Sequence, residues 1–317
     1  MSLKNHKIAF IFPGQGAQYV GMASDFTEDR PELKNVLEQF DKENNVTLAK
    51  IMADGPSELL KETRFTQPAL LFHGVVAMQK LQSALDIKPD YVAGHSLGEF
   101  TALVANGVLS LEDAMYLVHK RGEFMIEAND GQPFGMAAVM GLSGEKVSQI
   151  CKEASEKALV VAANFNTPVQ TVVSGTKEGV ELACSMAKEA GAKRVVMLEV
   201  GGPFHSPLIA KAGEMLTKEM EKITFNETDI PVVSNVDAEP QTNISVIKSN
   251  LAKQVISSVY WVDCIEKMIE EGVDVFFEFG PKKVLAGMIK KINRKVKVYG
   301  IDKLEDVEKV LEGVNEL

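Results

Sequence analysis

Between Tyr91 and Phe100 the chain reads YVAGHSLGEF. The first residues are apolar and suit a buried strand. The last open a helix-forming run over 97–106. Between them Ser96 stands with Gly94 and Gly98 two residues away on either side. A serine flanked this way at a strand-to-helix junction is the nucleophile-elbow pattern. The chain turns sharply there, side chains at the flanking positions would clash, and the serine Oγ projects clear of the sheet edge. The Leu97 N–H then lies at the start of the helix, unpaired within it and at the positive end of the helix dipole. Such a donor suits the oxyanion of a tetrahedral intermediate. The plainer reading makes Ser96 an N-cap whose neighbouring glycines ease the turn.

Outward from this junction, KIAFIF (7–12), YVAGH (91–95), IPVVSNV (230–236), VDVFFEF (273–279) and VKVYGI (296–301) are dense in apolar residues rather than alternating. Strands covered on both faces read this way. Helical patterns run over roughly 57–62, 68–85, 97–106, 111–128, 207–221, 244–256, 261–271 and 282–292. Strands alternating with helices predict an α/β fold with a mostly parallel sheet. The middle differs. FGMAAVMG (134–141), SGEKVSQICKEAS (143–155), ALVVAANF, VQTVVSG, TKEGVELACSMAKEAG (176–191) and AKRVVMLEV (192–200) read as strand, helix, strand, strand, helix, strand. That β-α-β-β-α-β order is ferredoxin-like. It predicts a small subdomain over 130–200 inserted into a larger α/β subdomain made of 1–129 and 201–317. The boundaries fall at the breakers NDGQP and GGP.

A serine nucleophile needs a base, and there are five histidines. His6 lies in a leading tail. His73 sits in an apolar helix, where a satisfied core histidine is expected. His95 adjoins Ser96 and should point away from it, and His119 lies on a helix. His205, in EVGGPFHSPLI (199–209), is in a glycine- and proline-bounded loop after the last strand of the inserted unit. It is the best base by placement, its rival reading being a loop histidine capping the next helix. No acid with a motif stands between Ser96 and His205. A backbone or amide carbonyl is left to fix the imidazole tautomer.

In the helix that opens at Ser110 with a capping box to Asp113, the apolar stripe uses Ala114, Leu117, Val118, Phe124 and Met125. Arg121 falls on that stripe. Periodicity alone favours a stripe-edge arginine with its head in water. The sharper reading turns the guanidinium inward, where it needs a carboxylate from the chain or from a substrate. FPGQGAQ (12–18) lacks the Lys and Ser/Thr of a phosphate loop, so nucleotide binding is not expected. Its Gln15 N–H is a candidate second donor to an oxyanion.

The composition is that of a globular protein: 317 residues, 45% hydrophobic, 25% charged, with a formal net charge of -10. The acidic balance argues against nucleic acid as a partner. Cys151, Cys184 and Cys264 lie far apart, which points away from disulfides and zinc and toward reduced thiols in the cytoplasm. No metal site is expected. No stretch approaches the ~20 apolar residues of a membrane helix, and the N-terminus does not read as a signal peptide. One stretch, 281–298, carries seven Lys or Arg and no acid. Its plainest reading is a solvated helix face.

Taken in order, FPGQGAQ, TQPAL (66–70), GHSLGE (94–99), KRG (120–122), AANFN (162–166), GPFHSP (202–207), PVVSNVDAEP (231–240) and FFEFGPKKVL (276–285) resemble malonyl-CoA:acyl carrier protein transacylases and the acyltransferase domains of fatty-acid and polyketide synthases. The resemblance spans essentially the whole chain. It implies a hydrolase-like α/β domain with an inserted ferredoxin-like subdomain. It implies Ser96 as nucleophile, His205 as general base and acid, and Arg121 as the clamp for the malonyl carboxylate. The Gln15 and Leu97 N–H groups form the implied oxyanion hole. Gln67 and Asn164 line the pocket, the Gln254 carbonyl orients His205, and Phe204 matches members that take malonyl rather than methylmalonyl groups. The implied substrates are malonyl-CoA and a phosphopantetheinylated acyl carrier protein, with no bound cofactor, and carrier docking is expected around Lys290, Lys291 and Arg294. The expected activity rises with pH as His205 loses its proton. A serine esterase or thioesterase shares the elbow but has no use for Arg121; service to polyketide rather than fatty-acid synthesis is another alternative. The chain departs from the family at Gly201, where Ser is common, at Tyr260, often Arg, and at Lys282, usually Gly. Tyr260 and Lys282 bear on carrier docking, and Gly201 on the looseness of the His205 loop.

Overall fold

The computed structural model describes residues 3–315. In chain order the helices are α1 (Ser24–Asp29), α2 (Glu32–Asn44), α3 (Leu48–Asp54), α4 (Ser57–Leu60), α5 (Thr63–Ala84), α6 (Gly98–Ala105), α7 (Leu111–Glu127), α8 (Gly144–Ala154), α9 (Lys177–Glu189), α10 (Ala210–Met220), α11 (Ile244–Gln254), α12 (Trp261–Glu270), α13 (Val284–Ile292) and α14 (Leu304–Asn315). The strands are β1 (Lys7–Phe12), β2 (Tyr91–Gly94), β3 (Phe134–Met140), β4 (Val160–Thr167), β5 (Gln170–Thr176), β6 (Arg194–Met197), β7 (Val232–Val233), β8 (Pro240–Gln241), β9 (Val273–Phe279) and β10 (Lys297–Ile301).

The first sheet has the order β10-β9-β1-β2-β7-β8. It is parallel except for the β7–β8 pair. Its central strands are buried on both faces, as their unbroken apolar runs require. The second sheet, β4-β5-β3-β6, is antiparallel throughout and carries α8 and α9 between its strands. This is the ferredoxin-like order, and the mixed α/β fold is the expected one.

Strand β4 of the second sheet is stitched along a seam to the segment between α11 and α12. Phe165 N–H donates to the Val259 carbonyl at 2.9 Å, Val259 N–H to the Ala163 carbonyl at 2.8 Å, and Ser258 Oγ to the Ala162 carbonyl at 2.7 Å. The Tyr260 ring stacks on Phe165 beside this seam, with centroids 5.2 Å apart.

Several elements differ from the sequence expectation. Helices α1 to α3 and α14 were not expected. α2 buries only Leu33, Leu37 and Phe40, and α14 only Asp306, Val307, Val310 and Val314, so each presents a narrow apolar face. The run 230–236 gives just two strand residues, because Asn235 leaves the sheet to brace the elbow. Strand β6 stops at Met197, and the next residues run into the cleft. α5 starts five residues before Pro68 rather than at it. Pro68 has no N–H for the Arg64 carbonyl, and His119 Nδ1 bonds to that oxygen instead, at 2.9 Å.

Candidate active site

The elbow owes its shape to its glycines. A Cβ on Gly94 would lie 1.8 Å from the Gly98 carbonyl carbon, and one on Gly98 would lie 2.1 Å from the Phe12 carbonyl oxygen. Neither position tolerates a side chain. Ser96 between them takes φ 52°, in the left-handed region. A non-glycine residue held this way costs about 1–3 kcal/mol, which the surroundings must offset. They do so through Asn235. Its Oδ1 accepts from the Ser96 N–H at 2.7 Å and its Nδ2 donates to the Gly94 carbonyl at 2.8 Å.

Ser96 is not a helix cap. α6 begins at Gly98, and Leu97 holds the N-cap position with no side-chain cap. The Ser96 Oγ lies 2.8 Å from His205 Nε2 and accepts from Arg121 Nη2 at 3.0 Å. His205 also has left-handed backbone, φ 57°. Its N–H donates to the Val255 carbonyl, and its Nδ1 lies 2.8 Å from the Gln254 carbonyl. A carbonyl only accepts, so Nδ1 carries the proton and Nε2 turns its lone pair to the serine. Burial, then the charge of Arg121, push the His205 pKa down to about 3. The imidazole is therefore neutral throughout the ordinary histidine range. This corrects the expectation that its titration shapes activity there.

Arg121 is the second correction. Periodicity favoured a solvated head, but the residue is 1% exposed. Its position follows from close helix packing. A Cβ on Gly122 would lie 2.8 Å from the Arg64 Cα, so α7 approaches the first turn of α5 where only glycine fits. The guanidinium donates from Nη1 to Gln67 Oε1 and from Nη2 to Gln254 Oε1, both at 2.8 Å. Its Nε is buried without a partner. Burial lowers its pKa to about 10, with Glu99 the charge that opposes the shift.

These groups face a cleft of about 300 Å³, whose lining includes Gln15, Gln67, Ser96, Leu97, Arg121, Asn164, Phe204 and His205. Apolar residues on the side of the second sheet, among them Met136, Val172 and Leu198, close it. Neither the Gln15 nor the Leu97 N–H is bonded to any described residue. Gly14 lets the first of these donors approach, since a Cβ there would lie 2.7 Å from the His95 carbonyl oxygen. Gln254 stands behind the cleft with no exposure. His95 also lines the cleft, its Nε2 2.7 Å from Asn166 Oδ1 and its ring packed edge-on against Trp261. No group of three or more His, Cys, Asp or Glu placed to hold a metal occurs among the described residues.

Sequence reasoning missed Asn235 and Glu99 as site residues. Both lie within quoted motifs, yet neither spacing nor residue type signals that they meet. Asn235 N–H donates to Glu99 Oε2 at 3.1 Å, and Gln254 Nε2 donates to the same oxygen at 2.8 Å. The family departures have local explanations. Lys282 takes φ 65° where glycine would be easy, and it is held by its N–H to Asp302 Oδ2 and its Nζ to the Gln18 carbonyl. A Cβ on Gly201 would meet Ile126 Cδ1 at 2.6 Å, so a serine there would require Ile126 to move.

Residues 9–307 match the family described as acyl transferase domain. A malonyl CoA-acyl carrier protein transacylase of Bacillus subtilis is 43% identical over 311 residues, covering 98% of each chain. The solved malonyl CoA-acyl carrier protein transacylase of Coxiella burnetii superposes with a TM-score of 0.92 at 36% identity, covering 97% of each chain. The malonyl-transacylase solved in complex with its type II polyketide-synthase acyl-carrier protein gives a TM-score of 0.92 at 35% identity, covering 97% of this chain and 99% of that one.

Proposed function

The chain belongs to the acyl transferase domain family, and on that premise we propose that it moves a malonyl group from malonyl-CoA to the phosphopantetheine thiol of an acyl carrier protein, supplying extender units for fatty-acid synthesis. The carrier of the reaction is an ester on Ser96. His205 Nε2 takes the Ser96 proton as Oγ attacks the thioester carbonyl, and the Gln15 and Leu97 N–H groups receive the oxyanion. Coenzyme A leaves with the proton from His205. The carrier thiol then gives its proton to His205 and attacks the ester, and Ser96 recovers the proton as it departs. Gln254 holds the imidazole tautomer through its carbonyl. Phe204, Gln67 and Asn164 bound the acyl pocket.

The observation that carries the malonyl reading is the cation beside the nucleophile. Arg121 is buried 3.0 Å from the Ser96 Oγ, with an unpartnered Nε and no carboxylate among the described residues in contact with it. A neutral acyl group has no use for that charge. An acyl group ending in a carboxylate satisfies it in a geometrically selective way.

For the carrier, α13 supports a docking surface. Val284, Leu285 and Met288 line the cleft, while Lys290, Lys291 and Arg294 stand exposed beyond. The three free, buried thiols suit the cytoplasm, and no described helix is long and apolar enough to cross a membrane. We read the chain as a large subdomain, 1–129 with 201–317, and a small one, 130–200.

Mass spectrometry of the Ser96 peptide after brief exposure to malonyl-CoA tests the intermediate. The expected result is a malonyl adduct that disappears on adding carrier, and no adduct in Ser96→Ala. Malonate release at full rate without carrier would instead identify a thioesterase.

A further inference from the structure

Arg121 is a buried cation whose three hydrogen-bond acceptors, Gln67, Gln254 and Ser96, are all neutral. A buried charge needs a counter-charge. It lies one group away. The Gln254 side chain takes Arg121 Nη2 on its Oε1 and donates from Nε2 to Glu99 Oε2, each at 2.8 Å. The amide thus spans cation and carboxylate, and only one of its two flip states does so. Glu99, on α6, is 2% exposed and receives the Asn235 N–H on the same oxygen.

A substrate carboxylate brought to Arg121 would leave two anions sharing one cation away from water. That arrangement is unfavourable, and one of the two carboxyls must neutralise. We propose that Glu99 is the counter-ion of Arg121 in the free enzyme and takes one proton from solvent when a substrate carboxylate binds the guanidinium. The step forms one O–H bond on Glu99 and breaks none in the substrate. The proton returns to solvent when the acyl group leaves with the carrier. The inference rests on the reading of Arg121 as the malonyl clamp. Glu99 touches no reacting atom; it is a positioning residue that acts through Gln254.

The surroundings suit the role. Burial pushes the Glu99 pKa up to about 7, against hydrogen bonds from Gln254 and Asn235 that lower it. Asp237, beyond β7, raises it further, and Arg121 from α7 lowers it. Cys264 on α12 is held as a thiol, its pKa pushed well up by burial. His205 is neutral. Screening Arg121 with a second anion removes one of the influences that keep Glu99 ionised.

The test uses the full-length Ser96→Ala protein and malonyl-pantetheine, which has no phosphate to titrate. Calorimetry at pH 8 in two buffers of different ionisation heat reads proton uptake. Uptake approaching one proton per malonyl group is expected, with affinity falling about tenfold per pH unit above 7. Acetyl-pantetheine should give no uptake. Adding Glu99→Gln should abolish the uptake and the pH dependence. Tight binding without buffer-dependent heat, or uptake that persists with Gln at 99, overturns the proposal and leaves the malonyl reading intact. Malonyl-pantetheine binding that Arg121→Ala does not weaken overturns both. Should the Gln variant not fold, infrared difference spectra of the Ser96→Ala protein decide. A protonated-carboxyl band should appear on binding, and its absence overturns the proposal.

Discussion

At the scale of the residue, the arrangement turns on burial. His205 is kept neutral first by desolvation and then by Arg121. A lowered pKa leaves the base form intact until pH approaches that value from above. For the free enzyme, kcat/KM with malonyl-CoA should stay level on its acid side from pH 7 down to about 5. A tenfold fall per unit beginning near 6.5 would show that His205 titrates as an ordinary histidine. Arg121→Ala should cut kcat/KM for malonyl-CoA roughly 100- to 1000-fold, the scale of breaking a buried ion pair. Acetyl-CoA turnover should not fall in step, and comparing the two substrates checks this. The sequence made Ser96, His205 and Arg121 legible as candidates because each sits in a distinctive local setting. The depth of Arg121 was not legible. Helical periodicity gives a direction, whereas Gly122 and the missing N–H of Pro68 set how closely two helices approach.

At the scale of the element, the elbow and α13 make opposite predictions. Gly98→Ala puts a Cβ against the Phe12 carbonyl oxygen, which belongs to the neighbouring central strand and cannot yield. The variant should lose more than about 4 kcal/mol of stability, the range of severe backbone conflict, together with its acylation. Thermal unfolding and the Ser96 adduct report the two losses. On α13, Lys290→Glu with Lys291→Glu should raise the KM for carrier about tenfold by removing charge complementarity. The KM for malonyl-CoA should not change, and steady-state kinetics in each substrate separates the two. Strands with continuous apolar runs were legible as buried sheet. Segments 24–54 and 304–315 were not, because a helix that buries one narrow face against a large core needs few apolar residues. The run 230–236 misled because an apolar pattern does not reveal that Asn235 is drawn out to hold another loop.

At the scale of the whole molecule, buried ionisable groups set the response to acid. His73 and His205 are pushed down to about 4 and about 3 by burial, while Glu99 and Glu278 are pushed up to about 7 by burial. His73 is buried without the hydrogen bonds a satisfied core histidine was expected to have; the Asp302 carboxylate lies 3.5 Å from its Nε2. A depressed histidine contributes stability that is present above pH 6.5 and lost as pH falls toward its folded value. A raised carboxyl works the other way: the stability it contributes is complete below pH 4.5 and lost as pH rises to 7. The two pairs therefore oppose one another between pH 6.5 and 4.5, and His95, also lowered by burial, tips the balance toward loss. Below 4.5 Glu99 and Glu278 no longer oppose the histidines. The melting temperature should fall gently across the first interval and steeply below it, and calorimetric scans from pH 7 to 4 check the break. The α/β layering and the inserted unit could be read from strand and helix order alone. The seam at Val259 could not, because its two bonds through Val259 are made by backbone groups, which every residue carries. Trp261, the chain's one tryptophan, sits just past that seam with its indole against His95, next door to the serine turn. Intrinsic fluorescence thus comes with an address: denaturation followed by emission watches this turn, and its agreement or mismatch with far-ultraviolet dichroism tells whether the turn melts with the scaffold or ahead of it.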